Sequence, residues 1–541
     1  MDNICNMDND NPEMMENNVV RLGGPIRKGI AKLLFSRFFL IVFLIIFQVI
    51  AITAVYVYYM EKVPMLFSLR WVFILIMVIY LFNNKMDASA KLTWMLIISI
   101  LPLLGTFFLL FTQSNIGHRV ESRRIRQQID ETRDVIKQDE QVNKEIRHDG
   151  SGTDDLSTFL CKTGCYPLYN GTEVTYFPIG EDMFEAMIRE LEKAEKFIFL
   201  EFFIVEEGYM WGRMLDILLR KARQGVEVRF MYDGMCEIST LPDDYWKLLE
   251  NKRIQAKTFS PLTPLVSSHY NYRDHRKILV IDGKTAFNGG VNLADEYINR
   301  VERFGHWKDT AVMLKGSAVK SFTLMFLQMW NIGIKQAEYN AWLDETDNVS
   351  DDEQSFEDAN GYVMPYADCP LDDYKAGETV YMDILNRATE YVHIMTPYLI
   401  LDGELELSLK YAAQRGVDVK IILPGIPDKK VAYALAKTHY KSLTESGVKV
   451  YEYIPGFVHA KVFVSDDIKA VVGTINLDYR SLYHHFECAT YMYKTDCIAD
   501  IERDFEETLV KCREVTAETI KNEKLSYKIL GGIAKLISPL M

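Results

Sequence analysis

The sequence predicts an α/β protein of two pseudo-symmetric lobes, each a sheet flanked by helices, that follow an all-α transmembrane region. Three observations support this: long apolar runs occur near the start of the 541 residues, strands and helices alternate from about residue 155, and one α/β pattern occurs twice. The predicted units are a basic segment at 1–37, a transmembrane region at 38–112, a charged linker at 113–154, lobe 1 at 155–340, an acidic linker at 341–360 and lobe 2 at 361–541.

The N-terminal region contains three apolar runs. Residues 38–60 carry no charge and exceed the roughly 20 residues that a helix needs to cross the hydrocarbon of a bilayer. Residues 91–112 carry one Lys at the edge, and 65–82 carry only Arg70, whose side chain can extend to the membrane interface. We therefore predict an integral, multi-pass membrane protein with spans at about 38–60, 65–82 and 91–112.

Basic residues on both sides of this region bear on its orientation. They are Arg21, Arg27, Lys28, Lys32 and Arg37 before the first run, and Arg119, Arg123, Arg124 and Arg126 after the third. Both clusters favour the cytoplasmic side, and an odd number of spans cannot place both there. The number of spans therefore stays open between two and three. We predict that the catalytic head lies on the cytoplasmic side of the cell membrane.

Charge and cysteine content exclude two classes of protein. At pH 7 the formal net charge is −14, and an acidic surface binds nucleic acid poorly. Of the 8 cysteines only Cys161 and Cys165 stand close together, and no further Cys or His pair follows at zinc-finger spacing. We therefore predict no nucleic-acid partner, no disulfide framework, no metal ion and no cofactor.

The region after residue 155 repeats itself. LLRKARQGVEVRFMYDG at 218–234 matches LKYAAQRGVDVKIILPG at 409–425, helix and Gly and strand in each case. HRKILVIDGKTAFNGGVNL at 275–293 matches HAKVFVSDDIKAVVGTINL at 459–477. The distance along the chain between the matching segments is nearly the same for both pairs. The period is far too long for a solenoid, so we predict a duplicated lobe. Two such lobes, facing each other, bring their equivalent strands to one shared site.

Each copy carries the pattern H-x-K-x4-D. The residues are His275, Lys277 and Asp282 in the first copy and His459, Lys461 and Asp466 in the second. Both patterns lie on β-branched, apolar stretches that predict strands, where residues i and i+2 share a face. His and Lys therefore point the same way, whereas the Asp points to the other face and is expected to support the structure. We include all six in the candidate catalytic set.

An Asn follows at the same distance after each His. Asn292 and Asn476 both come after small residues, which allow close approach of the backbone. Two imidazoles, two ammonium groups and two amides suit the oxygens of one phosphate. An imidazole also needs a partner for its other nitrogen, and the acids Asp309 and Glu487 are candidates for that role. One His could then attack phosphorus while the other serves as acid and base.

The two motifs, HRKILVID…GGVN and HAKVFVSD…GTIN, resemble those of the phospholipase D superfamily. Within it, the apolar hairpin with Trp94 to Gly105, the stretches GGVNLADEY (289–297) and INLDYRSLYHHFE (475–487), and the tail ISPLM (537–541) are similar to the bacterial cardiolipin synthases. The resemblance covers roughly residues 65–541. The first 60 residues, with their extra apolar run, are not part of it.

The resemblance implies a reaction. One phosphatidylglycerol is attacked at phosphorus, glycerol leaves, and a phosphatidyl-histidine forms. The terminal hydroxyl of a second phosphatidylglycerol then attacks it and gives cardiolipin. The resemblance further implies His275 as nucleophile and His459 as acid and base, although the near-symmetry of the motifs leaves the reverse open. Phosphatidylglycerol and other anionic lipids are the implied partners, and Asp309 and Glu487 the implied His-orienting acids.

Other interpretations remain open. Water as acceptor would make the chain a hydrolytic phospholipase D, and another acceptor a different phosphatidyltransferase. A non-enzymatic membrane scaffold is the alternative from a different class. The remaining histidines near the motifs could line the site, but we favour a positional or packing role for them; they are His269, His306, His484 and His485. The apolar tail at 527–541 either lies in the membrane interface or packs on the head. Whether the chain forms a homo-oligomer is also open.

Overall fold

In the computed structural model the described residues are 64–113, 119–261, 272–334, 339–347 and 359–540, with Phe356 and a few short pieces between 19 and 58. Most of the predicted span at 38–60 and much of the acidic linker at 341–360 lie outside these residues. His269 also lies outside them.

Three helices open the described chain: α1 (Pro64–Phe82), α2 (Ala88–Ile100) and α3 (Pro102–Gln113). They pack on one another through Leu81, Trp94, Ile98 and Leu109. The prediction of one span at 91–112 is wrong in its continuity, because the chain leaves the helical conformation at Leu101. Pro102 disfavours a helical residue before it and starts the next helix instead.

Across the stretches that the structure describes, no helix combines the length and the apolar character needed to traverse a bilayer.

The charged segment before lobe 1 is helical and packs against the lobes. It forms α4 (Arg119–Thr132), α5 (Glu140–Asp149) and α6 (Thr153–Gly164). Ile125, Val142 and Ile146 are buried in the same apolar cluster as residues of both lobes.

Lobe 1 is a seven-stranded sheet with helices on its faces. Its elements are β1 (Thr172–Phe177), α7 (Gly180–Lys193), β2 (Phe197–Phe202), α8 (Tyr209–Arg223), β3 (Glu227–Asp233), α9 (Cys236–Ser239), α10 (Tyr245–Glu250), β4 (Gln255–Phe259), β5 (Arg273–Asp274), β6 (Lys277–Ile281), β7 (Thr285–Gly289), β8 (His306–Lys308), β9 (Ala311–Gly316), α11 (Val319–Trp330) and α12 (Asn340–Asp347). The strand order is β1-β9-β7-β6-β2-β3-β4. The strand β2 is apolar apart from Glu201 and fully buried, as expected of a central strand covered on both faces.

Lobe 2 repeats this topology. Its elements are β10 (Tyr362–Asp368), α13 (Ala376–Arg387), β11 (Tyr391–Met395), α14 (Gly403–Gln414), β12 (Asp418–Pro424), α15 (Lys430–Thr444), β13 (Lys449–Tyr453), β14 (Gly456–Val458), β15 (Val462–Ser465), β16 (Lys469–Gly473), α16 (Tyr479–Tyr483), β17 (His485–Tyr493), α17 (Ile498–Leu509), β18 (Cys512–Glu514), α18 (Ala517–Lys521) and α19 (Leu525–Ile537). The order β10-β17-β16-β15-β11-β12-β13 matches lobe 1 strand for strand, with β18 added at the edge.

Two short strand pairs join the lobes. The strand β5 of lobe 1 runs parallel to the start of β17, and β14 of lobe 2 runs parallel to β8. Each of the joining strands β5 and β14 ends immediately before a motif histidine. The lobes therefore exchange backbone hydrogen bonds at the two places where the sequence predicts the chemistry.

Candidate active site

The two motif histidines are held by the backbone of the opposite lobe. The N–H of His275 donates to the carbonyl of Phe486 at 2.9 Å, and the N–H of His459 donates to the carbonyl of Lys308 at 2.7 Å. Both follow a joining strand and precede a central strand of their own lobe. The position of each imidazole is thus fixed by two lobes at once.

The side chains cross the interface in the same way. His275 Nδ1 lies 2.9 Å from both carboxylate oxygens of Glu487, and His459 Nδ1 lies 2.7 Å from Asp309 Oδ2. Both carboxylates are fully buried. The sequence pointed to these two acids, and the structure adds that each orients the histidine of the other lobe. An Nδ1–H held by a carboxylate leaves Nε2 with a free lone pair.

Each motif lysine contacts the motif histidine of its own lobe. Lys277 Nζ donates to the carbonyl of His275 at 2.7 Å. Lys461 Nζ lies 2.9 Å from Nδ1 and 3.1 Å from Nε2 of the His459 ring. Burial lowers the pKa of Lys277 to about 8 and that of Lys461 to about 7. An anionic ligand between these groups would favour their charged forms.

Burial also lowers the pKa of both imidazoles. For His275 the pKa falls well below its ordinary value, and the charges of Lys277, His485 and the second motif lower it further. For His459 burial and Lys461 lower the pKa to about 4, against the opposing effect of Asp309. The pKa of each histidine is also lowered by the charge of the lysine in the other motif, so the two motifs share one site.

The pKa of the Glu487 carboxyl differs from that of a solvated carboxyl. Burial raises its pKa well above the ordinary value, although Lys277 and the Thr474 hydroxyl act in the opposite direction. The Thr474 hydroxyl donates a hydrogen bond to Glu487 Oε2. A carboxylate with a raised pKa accepts a proton more readily than a solvated one, so it can stabilise positive charge that builds up on the His275 ring.

The motif aspartates lie at the other end of the same strands. Asp282 accepts the backbone N–H groups of Glu195, Lys196 and Phe197, each at 2.8 Å. Asp466 accepts those of Thr389, Glu390 and Tyr391 at 2.8–3.0 Å. Each therefore fixes the start of a neighbouring strand, β2 or β11. Their contacts are with the scaffold, in keeping with the face on which strand alternation placed them.

The two asparagines differ in their partners. Asn292 accepts the N–H of Ile204 at 3.0 Å and donates to the Tyr297 hydroxyl at 2.8 Å. The Oδ1 atom of Asn476 is buried and has no hydrogen-bond partner in the described part of the chain. A buried amide oxygen without a partner is costly, so Asn476 is the better placed of the two to contact a bound group.

Gly290 makes the close approach of one carboxylate to the site possible. A Cβ atom at this position would lie 2.0 Å from Asp309 Oδ1 and 3.0 Å from the His459 carbonyl. The equivalent position in lobe 2 is Thr474, whose hydroxyl binds Glu487 instead. Gly290 and Thr474, which precede the asparagines, thus leave room for or bind the carboxylates, in addition to allowing close approach of the backbone.

His485 belongs to the site, although the sequence analysis gave it a packing role. Its ring centroid lies 5.4 Å from that of His275, and its Nδ1 lies 3.6 Å from Glu487 Oε1. It is only 7% exposed, and neither ring nitrogen has a hydrogen-bond partner among the described residues. The sequence could have indicated this place, because His485 stands two residues before Glu487 in a strand and the two side chains therefore lie on the same face of the strand.

His275, His485 and Glu487 also bring ligand atoms within 4.8 Å of one another, a spacing that a metal ion can use. The neighbouring ammonium group of Lys277 opposes a cation there and favours an anion. The arrangement is therefore suited to bind a phosphate between two buried imidazoles, one of which can attack phosphorus.

Comparison with known proteins agrees with this geometry. Residues 187–330 and 381–509 match the family described as "Cardiolipin synthase, PLD-like domain". A cardiolipin synthase of Geobacillus sp. is 32% identical over 470 residues, which cover 86% of this chain and 91% of the relative. A protein of Streptococcus mutans described as uncharacterized is 57% identical over 466 residues, 86% of this chain and 99% of the relative.

Among solved structures, a phosphatidylserine synthase of Haemophilus influenzae is similar in fold. The TM-score is 0.53 at 14% sequence identity, and the match covers 68% of this chain and 95% of that chain. At this identity the likeness concerns the arrangement of the two lobes alone.

Proposed function

Because this chain belongs to the bacterial cardiolipin synthases with phospholipase D-like domains and is thus an enzyme of the phosphatidyltransferase type, we propose that it makes cardiolipin from two molecules of phosphatidylglycerol. In this reaction the phosphatidyl group of the first molecule moves to the terminal hydroxyl of the second, and glycerol is released. The proposal rests chiefly on the crossed His–carboxylate pairs, His275 with Glu487 and His459 with Asp309.

In the first step Nε2 of one imidazole attacks phosphorus and forms a P–N bond. The P–O bond to glycerol breaks, and the glycerol oxygen takes a proton from Nε2 of the other imidazole. The carboxylate at Nδ1 of the attacking ring stabilises the positive charge that the ring acquires. We assign to the ammonium groups of Lys277 and Lys461, which contact His275 and His459, the stabilisation of the oxygens of the five-coordinate phosphorus.

In the second step the hydroxyl of another phosphatidylglycerol attacks the same phosphorus. Its proton passes to the imidazole that protonated glycerol, which is now neutral and acts as base. The P–N bond breaks, the first imidazole is regenerated, and both histidines return to their starting protonation states. One phosphodiester bond has formed for the one that was broken, so the exchange needs no energy-rich co-substrate.

We assign the nucleophile to His275. The main influences on the pKa of His275 all lower it, which keeps the ring neutral and its lone pair available. Burial and Lys461 lower the pKa of His459 to about 4, but the charge and the hydrogen bond of Asp309 oppose this shift. A bound anionic phosphate opposes it too, so we expect His459 to be the ring that takes up and delivers the proton.

We further propose that the chain is a multi-pass protein of the cell membrane with its catalytic head on the cytoplasmic side. The substrates are membrane lipids, and α1–α3 present apolar side chains to the outside, among them Leu75, Ile79, Leu96 and Phe107. Basic clusters on both flanks of the apolar region favour the cytoplasmic side.

A lipid-transfer assay tests the reaction. Purified full-length protein in mixed micelles receives phosphatidylglycerol labelled in the phosphatidyl group, beside the variants His275→Ala and His459→Ala. His439→Ala is the matched control, since His439 is equally buried but is bound to Glu406 outside the site. We expect label in cardiolipin with release of glycerol, loss of both in the two motif variants, and retention of both in the control.

Two other outcomes would contradict the proposal. Label that appears only in phosphatidic acid would identify water as the acceptor and the enzyme as a phospholipase. Label that stays in phosphatidylglycerol with all proteins would exclude this lipid as donor.

A further inference from the structure

The C-terminal helix α19 is held tightly to lobe 2 by a face of small residues. Gly531 and Ala534 are its buried positions and face α15. A Cβ atom on Gly531 would lie 2.4 Å from the carbonyl oxygen of Ala434. The two helix backbones are therefore in close contact, and α19 has a fixed orientation on the head.

The opposite face of α19 is apolar and uncovered. The exposed fractions are 70% for Leu525, 55% for Ile529, 59% for Ile533 and 53% for Leu536. Spacings of four, four and three residues place these side chains along one side of the helix. A continuous apolar stripe that is exposed on a folded domain marks a surface with a binding partner.

Charge indicates which partner. The stripe is flanked by the exposed side chains of Lys524, Lys528 and Lys535, and the sequence Leu525–Ile537 contains no acidic residue. The acid nearest in sequence, Glu523, is bound to Lys437. In a chain with a net charge of −14, a helix with only cations beside an apolar stripe fits an anionic lipid surface.

The stripe continues onto the N-terminal helices. The Thr93 hydroxyl of α2 donates to the carbonyl of Leu536 at 2.7 Å, so the end of α19 touches α2. The outer side of α2 carries Leu92, Leu96 and Ile100, all exposed. Exposed apolar side chains are thus present on two helices, α2 and α19, that are in contact with each other.

This surface is connected to the catalytic strand. The ring of His484 lies near the carbonyl of Pro539, just after α19, and His484 immediately precedes His485 on the way to Glu487. Tyr479 and Tyr483 of α16 pack in the same cluster as Ala534.

We propose that α19 is an interfacial helix that binds the anionic bilayer surface and thereby sets the height of the active site above the lipid headgroups. The second part of this inference rests on the proposed function.

A depth measurement tests the binding without reference to activity. A fluorophore is attached at Ile533→Cys in the full chain, in a background with Cys5 replaced, and the protein is reconstituted into phosphatidylglycerol vesicles with nitroxide-labelled acyl chains. The control label is at Leu407→Cys on α14, which is similarly exposed. The seven described cysteines are buried or half-buried, and labelling of the parent protein gives the background.

We expect strong quenching at position 533 and little at 407. Lys528→Glu with Lys535→Glu should reduce the quenching at position 533. Equal quenching at both positions would overturn the proposal. So would protection of position 533 that depends on protein concentration rather than on lipid, because a second copy would then be the partner.

A rate measurement tests the consequence. Ile529→Ser with Ile533→Ser should lower turnover of phosphatidylglycerol in vesicles about tenfold and change turnover in detergent micelles less than twofold. The control pair Leu407→Ser with Tyr411→Ser has the same spacing on α14 and should change neither. Equal rates in vesicles for both pairs would contradict the role of α19 in positioning the site. Absence of wild-type turnover in micelles would instead contradict the proposed function.

Discussion

The two halves of the active site have nearly the same motif and different surroundings. On one side His275 lies beside Glu487, Thr474 and His485; on the other, His459 lies beside Asp309, Gly290 and Trp307. These residues occupy equivalent places in the repeat: His485 and Trp307 each stand two residues before the carboxylate and about 5.5 Å from the motif ring. The repeat thus preserves the two motifs, whereas the residues beside them differ, and we propose different tasks for the two histidines on this ground.

The largest effects are expected for variants of the two motif histidines, which test the assignment of His275 as nucleophile and His459 as acid. In His459→Gln the nucleophile remains, and the group that protonates glycerol and activates the acceptor is lost, so turnover of phosphatidylglycerol should fall by about 10³-fold or more. A phosphatidyl ester whose leaving group needs no proton, such as a nitrophenol, should still leave covalent lipid on His275 in this variant. In His275→Gln turnover should fall at least as far, and no covalent lipid should form from either donor. Acid-quenched protein is analysed by intact mass after addition of the nitrophenyl ester. Covalent lipid on His459 in the His275 variant would reverse the assignment.

The next comparison concerns the supports of the two carboxylates. Gly290→Ala should lower kcat about 10²-fold, because the new Cβ would displace the Asp309 carboxylate that orients His459. At the equivalent position Thr474→Ser should cost less than threefold, because it keeps the hydroxyl that binds Glu487. Steady-state kinetics checks both, with circular dichroism to verify folding. A loss in Thr474→Ser as large as that in Gly290→Ala would contradict the difference between the two supports.

A smaller effect is expected at the rings beside the motif histidines. His485→Trp makes the two halves alike and removes the two unpaired nitrogens near His275. If the ring nitrogens of His485 bind the acceptor lipid, we expect about a tenfold lower ratio of cardiolipin to phosphatidic acid in His485→Trp. His485→Asn should retain most of the ratio. Product analysis by chromatography gives the ratio. Trp307→Phe on the other side should leave the ratio within a factor of two.

The smallest effect concerns stability. The folded pKa of Lys461 is about 7 and that in the unfolded chain is 10.5, so the unfolded state binds the extra proton and the charged lysine destabilises the fold. Lys461→Met should remove activity and raise Tm by about 2–4 °C. The gain should be greatest below about pH 7 and disappear as the pH approaches 10.5. Thermal unfolding at several pH values measures it.

The corresponding change in lobe 1 provides the comparison for this last prediction. Lys277 has a folded pKa of about 8, a smaller shift, so Lys277→Met should stabilise less than Lys461→Met. The exposed Lys441→Met is the control and should leave Tm unchanged. A larger gain at position 277 would contradict the order of the two shifts.

Much of this arrangement was predictable because it is local or repeated. The α/β lobes follow from alternating patterns and are confirmed, and the family follows from the two motifs. The crossing of the carboxylates was not predictable: Glu487 stands 212 residues after His275, and only the docking of the lobes brings them together. His485 was missed because it was judged alone, without its neighbour on the strand. The break at Leu101 was missed because Pro102 lies within an otherwise uniform apolar run. The membrane topology stays a prediction.

The two strand pairs that join the lobes have a consequence for synthesis. The backbone and side-chain partners of His275 are Phe486 and Glu487, so a nascent chain cannot assemble its reactive centre until nearly the whole protein has left the ribosome. A truncated product that ends within lobe 2 before β17 would carry His275 without its carboxylate. Incomplete chains would therefore lack one of the two His–carboxylate pairs on which the proposed reaction depends.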